Sequence, residues 1–111
     1  MPSAANRRPA LTEFVERLRH ALPANVVDVR LFGSEVRGDA SEDSDLDVLI
    51  VVQPDADRVR LEDCIIDIAF DVNVAFDVYI SPRVVTPAIL NHPIWSQTPF
   101  IKNVTRESVP L

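Results

Sequence analysis

The chain is poor in residues that several common kinds of site require. Its 111 residues include one cysteine, one tryptophan, one tyrosine and two glycines. Because Cys64 stands alone, no internal disulfide can form and cysteines cannot supply a metal site. Cys64 lies on the apolar side of a predicted helix, so we interpret it as a buried small hydrophobic residue and not as a reactive thiol.

Long apolar segments and an excess of basic residues are also missing. The longest apolar run, residues 48–52, has the length of a strand and not of a membrane span. Residues 1–10, MPSAANRRPA, lack the apolar stretch of a signal peptide, so we predict a flexible leader and a cytoplasmic protein. The net charge of −6 argues against a protein that tracks along nucleic acid, but a nucleotide bound with metal ions is still compatible with it.

The pattern of apolar residues predicts one domain over residues 11–111. The predicted elements are a helix over 11–22, a strand over 26–32, a helical turn over 35–37, a strand over 45–52, a helix from Pro54 and Asp55 to Val72, a strand over 75–80, and short helices ending in one capped by Thr98. The first two strands are joined too closely for a parallel pair, whereas a full helix separates the second from the third. We therefore predict an α/β (α+β) fold, a small mixed β-sheet backed by helices.

The distinctive part of the sequence is LFGSEVRGDASEDSDLDVLIVV, residues 31–52. It contains both glycines and, within nine residues, five acids: Asp39, Glu42, Asp43, Asp45 and Asp47. Asp45 and Asp47 alternate at the start of a strand and so point to one face. At about 6 Å and an effective dielectric constant of about 20, their charges repel by roughly 3 kcal/mol. A divalent cation would offset this repulsion, and Mg²⁺ or Mn²⁺ suits oxygen ligands completed by phosphates.

The residues just upstream are suited to holding those phosphates. Gly33 permits a close backbone approach, and Ser34 adds a hydroxyl donor at the start of a helical turn. Arg37, one turn on, is a candidate contact for a phosphate oxygen, with a plain surface charge as the equal alternative. Ser44 is expected to brace the turn before Asp45 through its hydroxyl, and we include it among the nucleotide-binding candidates.

A third carboxylate would allow two metal ions to bind. Asp77 is the first candidate, because it lies in the predicted third strand, on the same face as Tyr79, within apolar sequence. Asp71, near the end of the preceding helix, is the alternative. A one-residue slip in the third strand would turn Asp77 away from the pair.

The stretch GSEVRGDASEDSDLDVLI resembles the signature of the DNA polymerase β-like nucleotidyltransferase superfamily. That signature is a Gly-Ser step, a spacer and an Asp-x-Asp motif opening a strand, which Gly33, Ser34, Asp45 and Asp47 match. The segments RGDA and SDLD, with SPRVV and PFIKNVTRESVPL further on, resemble the corresponding sequences of the minimal nucleotidyltransferases. These are stand-alone domains of about this length. The similarity extends over nearly the whole chain.

This resemblance implies a polymerase β-like fold and a chemistry. Such enzymes transfer a nucleoside monophosphate, usually from ATP, to a hydroxyl, with two Mg²⁺ ions on three carboxylates, here Asp45, Asp47 and Asp77. Minimal members are often antitoxins that pair with a helical HEPN-domain toxin, and some attach AMP to a toxin tyrosine. The resemblance thus implies a HEPN-type toxin as partner, within a homo- or hetero-oligomer.

Two other functions are compatible with the same sequence. The first is a non-catalytic antitoxin module that binds nucleotide or partner and acts by occlusion. The second is a small-molecule modifier of the aminoglycoside-nucleotidylating kind, and the lack of a recognisable acceptor-binding domain in the sequence counts against it.

Overall fold

Helices and strands alternate through the part of the chain that the computed structural model describes, residues 4–41, 43–54 and 57–111. The elements in chain order are α1 (Ala4–Ala21), β1 (Val26–Phe32), α2 (Ser34–Arg37), β2 (Leu46–Val52), α3 (Arg58–Phe76), β3 (Ile80–Val85), α4 (Pro87–Leu90), a 3-10 turn (Trp95–Gln97), α5 (Pro99–Glu107) and β4 (Val109–Pro110). Among the described residues, no helix has both the length and the apolar composition that crossing a membrane requires.

The strands form one mixed sheet in the order β3-β2-β1-β4. β1 is antiparallel to β2 and to the short β4, whereas β2 and β3 are parallel. The parallel pair is joined through α3, which supplies the long crossover that parallel neighbours need. The predicted mixed sheet backed by helices is therefore confirmed.

Residues of the central strand β2 alternate between two layers of the core. Leu46, Val48 and Ile50 are fully buried and pack with α1 and α3 in the larger hydrophobic cluster. Leu49 and Val51 face the other way, into a smaller cluster that includes Val104 of α5. Because both faces of β2 are covered, its nearly continuous apolar sequence is accounted for.

The first helix begins earlier than its sequence pattern predicted. The prediction of a flexible leader is wrong for residues 4–10, which are helical in α1, while residues 1–3 lie outside the described residues. The extension forms because it buries side chains: Arg7 is 6% exposed and Ala10 is fully buried. Its mixed composition, with two arginines and a proline, hid this contact from a search for apolar periodicity.

The third strand lies further along the chain than predicted. We predicted a strand over 75–80 that Ser81 and Pro82 would end, but α3 continues through Phe76 and β3 spans Ile80–Val85. Asp77 ends α3 in a left-handed conformation, with φ 53° and ψ 54°. The buried stripe of α3 persists to Val72 and Phe76 packs against the same core, so packing prolongs the helix into sequence with strand propensity.

Pro82 is tolerated inside β3 because this strand is at the edge of the sheet. The start of β3 is covered by α3: the Asn73 side chain accepts from Ile80 N–H at 2.7 Å and donates to Ile80 carbonyl oxygen at 3.2 Å. The open edge of β3 is therefore covered at Ile80 by the Asn73 side-chain amide. At Pro82 it has no N–H group that another strand could pair with. This arrangement also fixes where β3 enters the sheet beside β2.

Two helix starts are close to their predictions. Thr98 precedes α5 as predicted, although its hydroxyl donates to Trp95 carbonyl oxygen at 2.7 Å and does not cap the helix. The start of α3 is later than predicted, since Asp57 is its N-cap and accepts from Arg60 N–H at 3.1 Å. Asp55, which we predicted to begin this helix, lies outside the described residues.

A buried arginine near the start of α1 fastens this helix to the segment that precedes β2. Arg7 donates to Glu35 Oε2 from Nε at 3.1 Å and from Nη2 at 2.6 Å. Its Nη1 donates to Ser44 carbonyl oxygen at 2.9 Å. We call these contacts of Arg7 with Glu35 and Ser44 the Arg7 clamp. Because Ser44 immediately precedes Asp45, the clamp fixes the point at which the chain enters the site described below.

Replacing Arg7 by alanine is expected to lower the free energy of unfolding by roughly 2 kcal/mol or more, because Glu35 would lose its ion pair and Ser44 its donor. Arg8→Ala is the matched control, since Arg8 is an exposed neighbour in the same helix and its loss should cost at most about 0.5 kcal/mol. Urea denaturation of both variants measures the difference. Equal destabilisation by the two substitutions would contradict a structural role for the clamp.

Candidate active site

Asp45 and Asp47 stand side by side at the beginning of the central strand. Asp45 directly precedes β2 and Asp47 is its second residue. Leu46 between them is fully buried in the larger cluster, so strand alternation turns both carboxylates to the opposite, α5-side face. Asp47 pairs with Phe32 of β1 and with Ser81 of β3. The two acids therefore lie between neighbouring strands at one end of the sheet.

Gly33 brings the backbone against one of these carboxylates. It follows β1 with φ 82° and ψ −154°, a combination that is essentially restricted to glycine. A Cβ atom at Gly33 would overlap Asp47 Oδ2 and lie 3.2 Å from Asp47 Cγ. The predicted juxtaposition of the Gly-Ser step and the carboxylate pair is thus present in the structure.

The short helix α2 starts immediately beside that contact. Val36 N–H and Arg37 N–H both donate to Gly33 carbonyl oxygen at 3.1 Å, closing a single turn. The N–H groups at the beginning of a helix precede its internal hydrogen bonds and can donate to an anion. Ser34 is the first residue of α2 and is half-buried. Its contact with a phosphate stays a prediction.

Arg37 is held near the site by acidic neighbours. Its Nη1 donates to Glu107 Oε1 of α5 at 3.1 Å, and its Nε lies 3.5 Å from Asp39 Oδ2. The Arg37 and Asp39 side chains are both half exposed or more, so their pair is weak and leaves the guanidinium accessible. A phosphate contact for Arg37 therefore stays a prediction.

Ser44 braces the turn before Asp45, as predicted. Its Oγ accepts from Ser41 N–H at 2.9 Å, and its N–H donates to Ser41 carbonyl oxygen at 3.1 Å. Its own carbonyl oxygen belongs to the Arg7 clamp. Direct contact of Ser44 with a nucleotide stays a prediction. The adjoining Glu42 lies outside the described residues.

The electrostatic environment of Asp47 leaves negative charge uncompensated. Partial burial raises the pKa of this carboxyl, and the charge of Asp45 raises it further. Arg83 and Arg37 lower the pKa without cancelling those effects. A bound cation would offset the cost of burying the negative charge of Asp47 and the repulsion between the two carboxylates. The oxygen ligands and their charge therefore fit a hard divalent metal ion.

Arg83 was missed in the sequence because the third strand was placed too early. It pairs with Leu49 in the parallel ladder, two positions beyond the pair of Asp47 with Ser81. Alternation within β3 therefore puts Arg83 on the face of the sheet that carries Asp47. Placing the strand at residues 80–85 would have identified it. Arg7 was missed for a related reason, since the first helix was started too late.

In the part of the chain that the structure describes, no third carboxylate is grouped with Asp45 and Asp47. Asp77 lies in the turn that ends α3, so the strand alternation that aligned it with Tyr79 does not apply. Asp71 is exposed on α3, in the layer on the other face of the sheet. Within the described ranges, no three acidic, histidine or cysteine side chains are grouped so that they could hold a metal ion. The described geometry therefore fits a site built on two carboxylates.

The match to a known domain family extends over most of the chain. Residues 11–110 match the family described as Nucleotidyltransferase domain. The chain belongs to this nucleotidyltransferase family. Its relatives and the solved structures it resembles place it among the minimal nucleotidyltransferases, which confirms the resemblance drawn from residues 31–52.

Two relatives from Methanocaldococcus jannaschii match this nucleotidyltransferase along nearly their whole length. "Putative protein adenylyltransferase MJ0604" is 35% identical over 103 residues, which cover 92% of this chain and 94% of the relative. "Putative protein adenylyltransferase MJ0141" is 33% identical over 99 residues, covering 89% and 92%.

Two solved structures share the fold. One, described as "Structure of putative minimal nucleotidyltransferase", is 25% identical with a TM-score of 0.54, covering 100% of this chain and 97% of the other. The second, "Crystal structure of the toxin-antitoxin with AMP-PNP", is 18% identical with a TM-score of 0.56, covering 89% and 69%. At this identity the second structure shows a common fold only.

The family membership makes this chain an enzyme of the nucleotidyl-transfer class. Enzymes of this fold act on a nucleotide and usually require a divalent metal ion. In this nucleotidyltransferase, Asp45 and Asp47 are our candidates for holding the metal, and the Gly33 bend beside Asp47 is the candidate position for a phosphate.

Gly33→Ala is expected to abolish binding of Mn²⁺–ATP, because the new Cβ would displace the Asp47 carboxylate. Gly38→Ala is the matched control: Gly38 also has φ 82°, but an added Cβ would meet nothing within 4 Å. Backbone strain should cost Gly38→Ala about 1–2 kcal/mol of stability without loss of binding. Calorimetric titration with Mn²⁺–ATP compares them, and unchanged affinity in Gly33→Ala would contradict the contact.

Asp47→Asn is expected to raise the free energy of unfolding by roughly 1 kcal/mol near neutral pH without metal, because it removes a repelled and partly buried charge. A carboxyl whose pKa is raised by folding destabilises the folded chain above that pKa. The penalty disappears as the pH falls below the ordinary carboxyl pKa of about 4. The stability difference from wild type should therefore shrink as the pH is lowered.

Asp43→Asn is the control for this measurement, because it changes the net charge equally at an exposed position of the same loop. Thermal unfolding of the three proteins across the acidic range gives the comparison. A stability difference between Asp47→Asn and wild type that grows toward low pH would show that the sign is wrong.

Proposed function

We propose that this nucleotidyltransferase transfers AMP from ATP, in a Mg²⁺-dependent reaction, to a tyrosine hydroxyl of a partner protein and thereby acts as an antitoxin. The observation that carries the proposal is the contact of the Gly33 bend with Asp47, a partly buried carboxylate that Asp45 repels. The names of the Methanocaldococcus relatives support adenylyl transfer to protein.

Asp45 and Asp47 would hold the metal in this reaction. When bound, Mg²⁺ neutralises triphosphate oxygens and eases ionisation of an acceptor hydroxyl. Gly33, Ser34 and the N–H groups that open α2 would bind the phosphates. In the transfer the acceptor oxygen forms a bond to the α-phosphorus as the bond to pyrophosphate breaks. Arg37 follows Gly33 in α2 and its charge acts on Asp47, so it would stabilise the departing pyrophosphate.

A toxin is the partner we infer. A fold neighbour described as a toxin-antitoxin with AMP-PNP supports an association with a toxin, and the sequence resemblance of residues 31–52 favours a HEPN-domain protein. A cytoplasmic location follows from the same proposal. Asp77 is retained as candidate for a third ligand, because it lies just before β3, at the end of the sheet where Asp45 enters.

One observation favours the occlusion alternative. The three acids Asp45, Asp47 and Asp77 do not form a metal cluster in the part of the chain that the structure describes. A chain that bound nucleotide on two carboxylates without efficient transfer would still block its partner physically. Catalysis and protection therefore need separate measurements.

The transfer is tested with ATP labelled at the α-phosphate, Mg²⁺ and a purified HEPN-domain toxin as the partner protein. We expect label on a partner tyrosine, reduced at least about 100-fold in Asp45→Asn/Asp47→Asn, because the metal and its electrostatic stabilisation are lost. Asp43→Asn, an exposed acid of the same loop, should label normally. Asp77→Asn, assayed alongside, shows whether the third carboxylate is needed.

Equal labelling by wild type and Asp45→Asn/Asp47→Asn would refute the catalytic proposal. Survival of cells that express the partner separates the two functions. If Asp45→Asn/Asp47→Asn protects cells as well as wild type does, occlusion replaces adenylyl transfer as the function.

A further inference from the structure

The only tyrosine of the chain lies next to the carboxylate pair. Tyr79 carbonyl oxygen accepts from Leu46 N–H at 2.7 Å, and the following residue, Ile80, pairs with Leu46 in the parallel ladder. One position earlier on both strands, Tyr79 is thus the cross-strand neighbour of Asp45. Adjacent strands are about 4.8 Å apart, so the two Cα positions are close.

The side chain of Tyr79 points to the same face as the carboxylates. Its neighbours Val78 and Ile80 are buried in the larger cluster, at 2% and 4% exposure, whereas Tyr79 is 55% exposed. Alternation therefore directs Tyr79 away from α1 and α3, toward the face that carries Asp45 and Asp47. The hydrogen bonds of Asn73 with Ile80 hold this segment in place, so the position of Tyr79 is fixed by the sheet.

Tyr79 also lies on the side from which an acceptor would approach. Gly33 and α2 continue from β1, on one side of β2, and β3 lies on the other. In phosphoryl transfer the attacking and leaving oxygens are roughly in line through phosphorus. If the leaving pyrophosphate is held by Gly33 and α2, the attacking hydroxyl must come from the β3 side, where Tyr79 stands.

We propose that Tyr79 is a self-modification site, whose phenolic oxygen accepts the nucleotidyl group from the site of its own chain. The proposal rests on the function proposed above and extends it to an acceptor within the chain. Tyr79 Oη forms a bond to the α-phosphorus of ATP, and the bond from that phosphorus to the bridging oxygen of pyrophosphate breaks. Pyrophosphate departs with the electron pair, and the phenolic proton passes to solvent. The product is a phosphodiester between AMP and Tyr79.

The modification would occupy the acceptor side of the site. A chain carrying AMP on Tyr79 would have its β3 side filled, so transfer to another acceptor should be slowed. Base stacking on the Tyr79 ring is the competing role for an exposed aromatic residue beside a nucleotide site. Tyr79→Phe separates the two roles, because phenylalanine keeps the ring that could stack on a base but lacks the acceptor oxygen.

The test incubates the purified chain alone with ATP and Mg²⁺, followed by peptide mass spectrometry. We expect one AMP per chain on the peptide that contains Tyr79, and at least about a 100-fold lower yield in Asp45→Asn/Asp47→Asn. Tyr79→Phe should carry no AMP, while calorimetry with Mn²⁺–ATP checks that its site still binds nucleotide. AMP found on another residue, or an equal yield in Tyr79→Phe, would overturn the proposal.

A second readout uses the fact that the chain has a single tyrosine. A phenol that loses its proton in alkali absorbs more strongly in the ultraviolet, and an esterified phenol has no proton to lose. The alkaline absorbance rise should therefore disappear in proportion to the AMP incorporated. A full rise after complete incorporation would place the AMP elsewhere and refute Tyr79 as the acceptor.

Mixing two variants tests whether transfer is within one chain. Active Tyr79→Phe is combined with tagged Asp45→Asn/Asp47→Asn, which keeps Tyr79 but lacks the carboxylates. We expect no label on the tagged chain, and its labelling would overturn transfer within the chain.

If the partner protein is labelled but the chain alone never is, this inference fails and the proposed function stands. If neither is labelled, the proposed function itself fails.

Discussion

The approach of the Gly33 backbone to the Asp47 carboxylate is the contact on which the site depends. It requires a residue without a side chain, at a φ of 82°, directly after β1. It also requires that β1 and β2 pair in the register that sets Phe32 opposite Asp47. The antiparallel ladder therefore does more than hold the sheet together. Its register places the Gly33 bend, our candidate phosphate site, beside the two acids that we propose as metal ligands.

The surrounding structure supports this contact from both layers. On one side the Arg7 clamp ties α1 to Glu35 of α2 and to Ser44, just before Asp45. On the other side the Phe32 ring contacts Phe100 of α5 edge to face, with centroids 5.7 Å apart. The site thus lies where helices from both layers are attached to the ends of the first two strands. Like charges are held together there at a cost in stability, as is common where perturbed carboxyls serve function.

The elements closest to the motif were those that the sequence predicted best. β1, β2 and the turn of α2 fall within one residue of their predicted bounds, because glycine, serine and β-branched residues specify them locally. The errors occurred where packing overrides local preference. Residues 75 and 76 have strand-like neighbours but complete α3, and residues 4–10 join α1 because Arg7 is buried against Glu35 and Ser44.

The sequence by itself determined the chemical motif: a glycine that can turn sharply, a hydroxyl beside it, and two carboxylates that alternation places on one face. These follow from covalent geometry and the period of a strand, which need no distant contact. Only the tertiary structure decided which other residues stand near the pair. It brought Arg83 and Tyr79 beside β2 and left Asp77 in a turn, because the register of β3 depends on where α3 stops packing against the core.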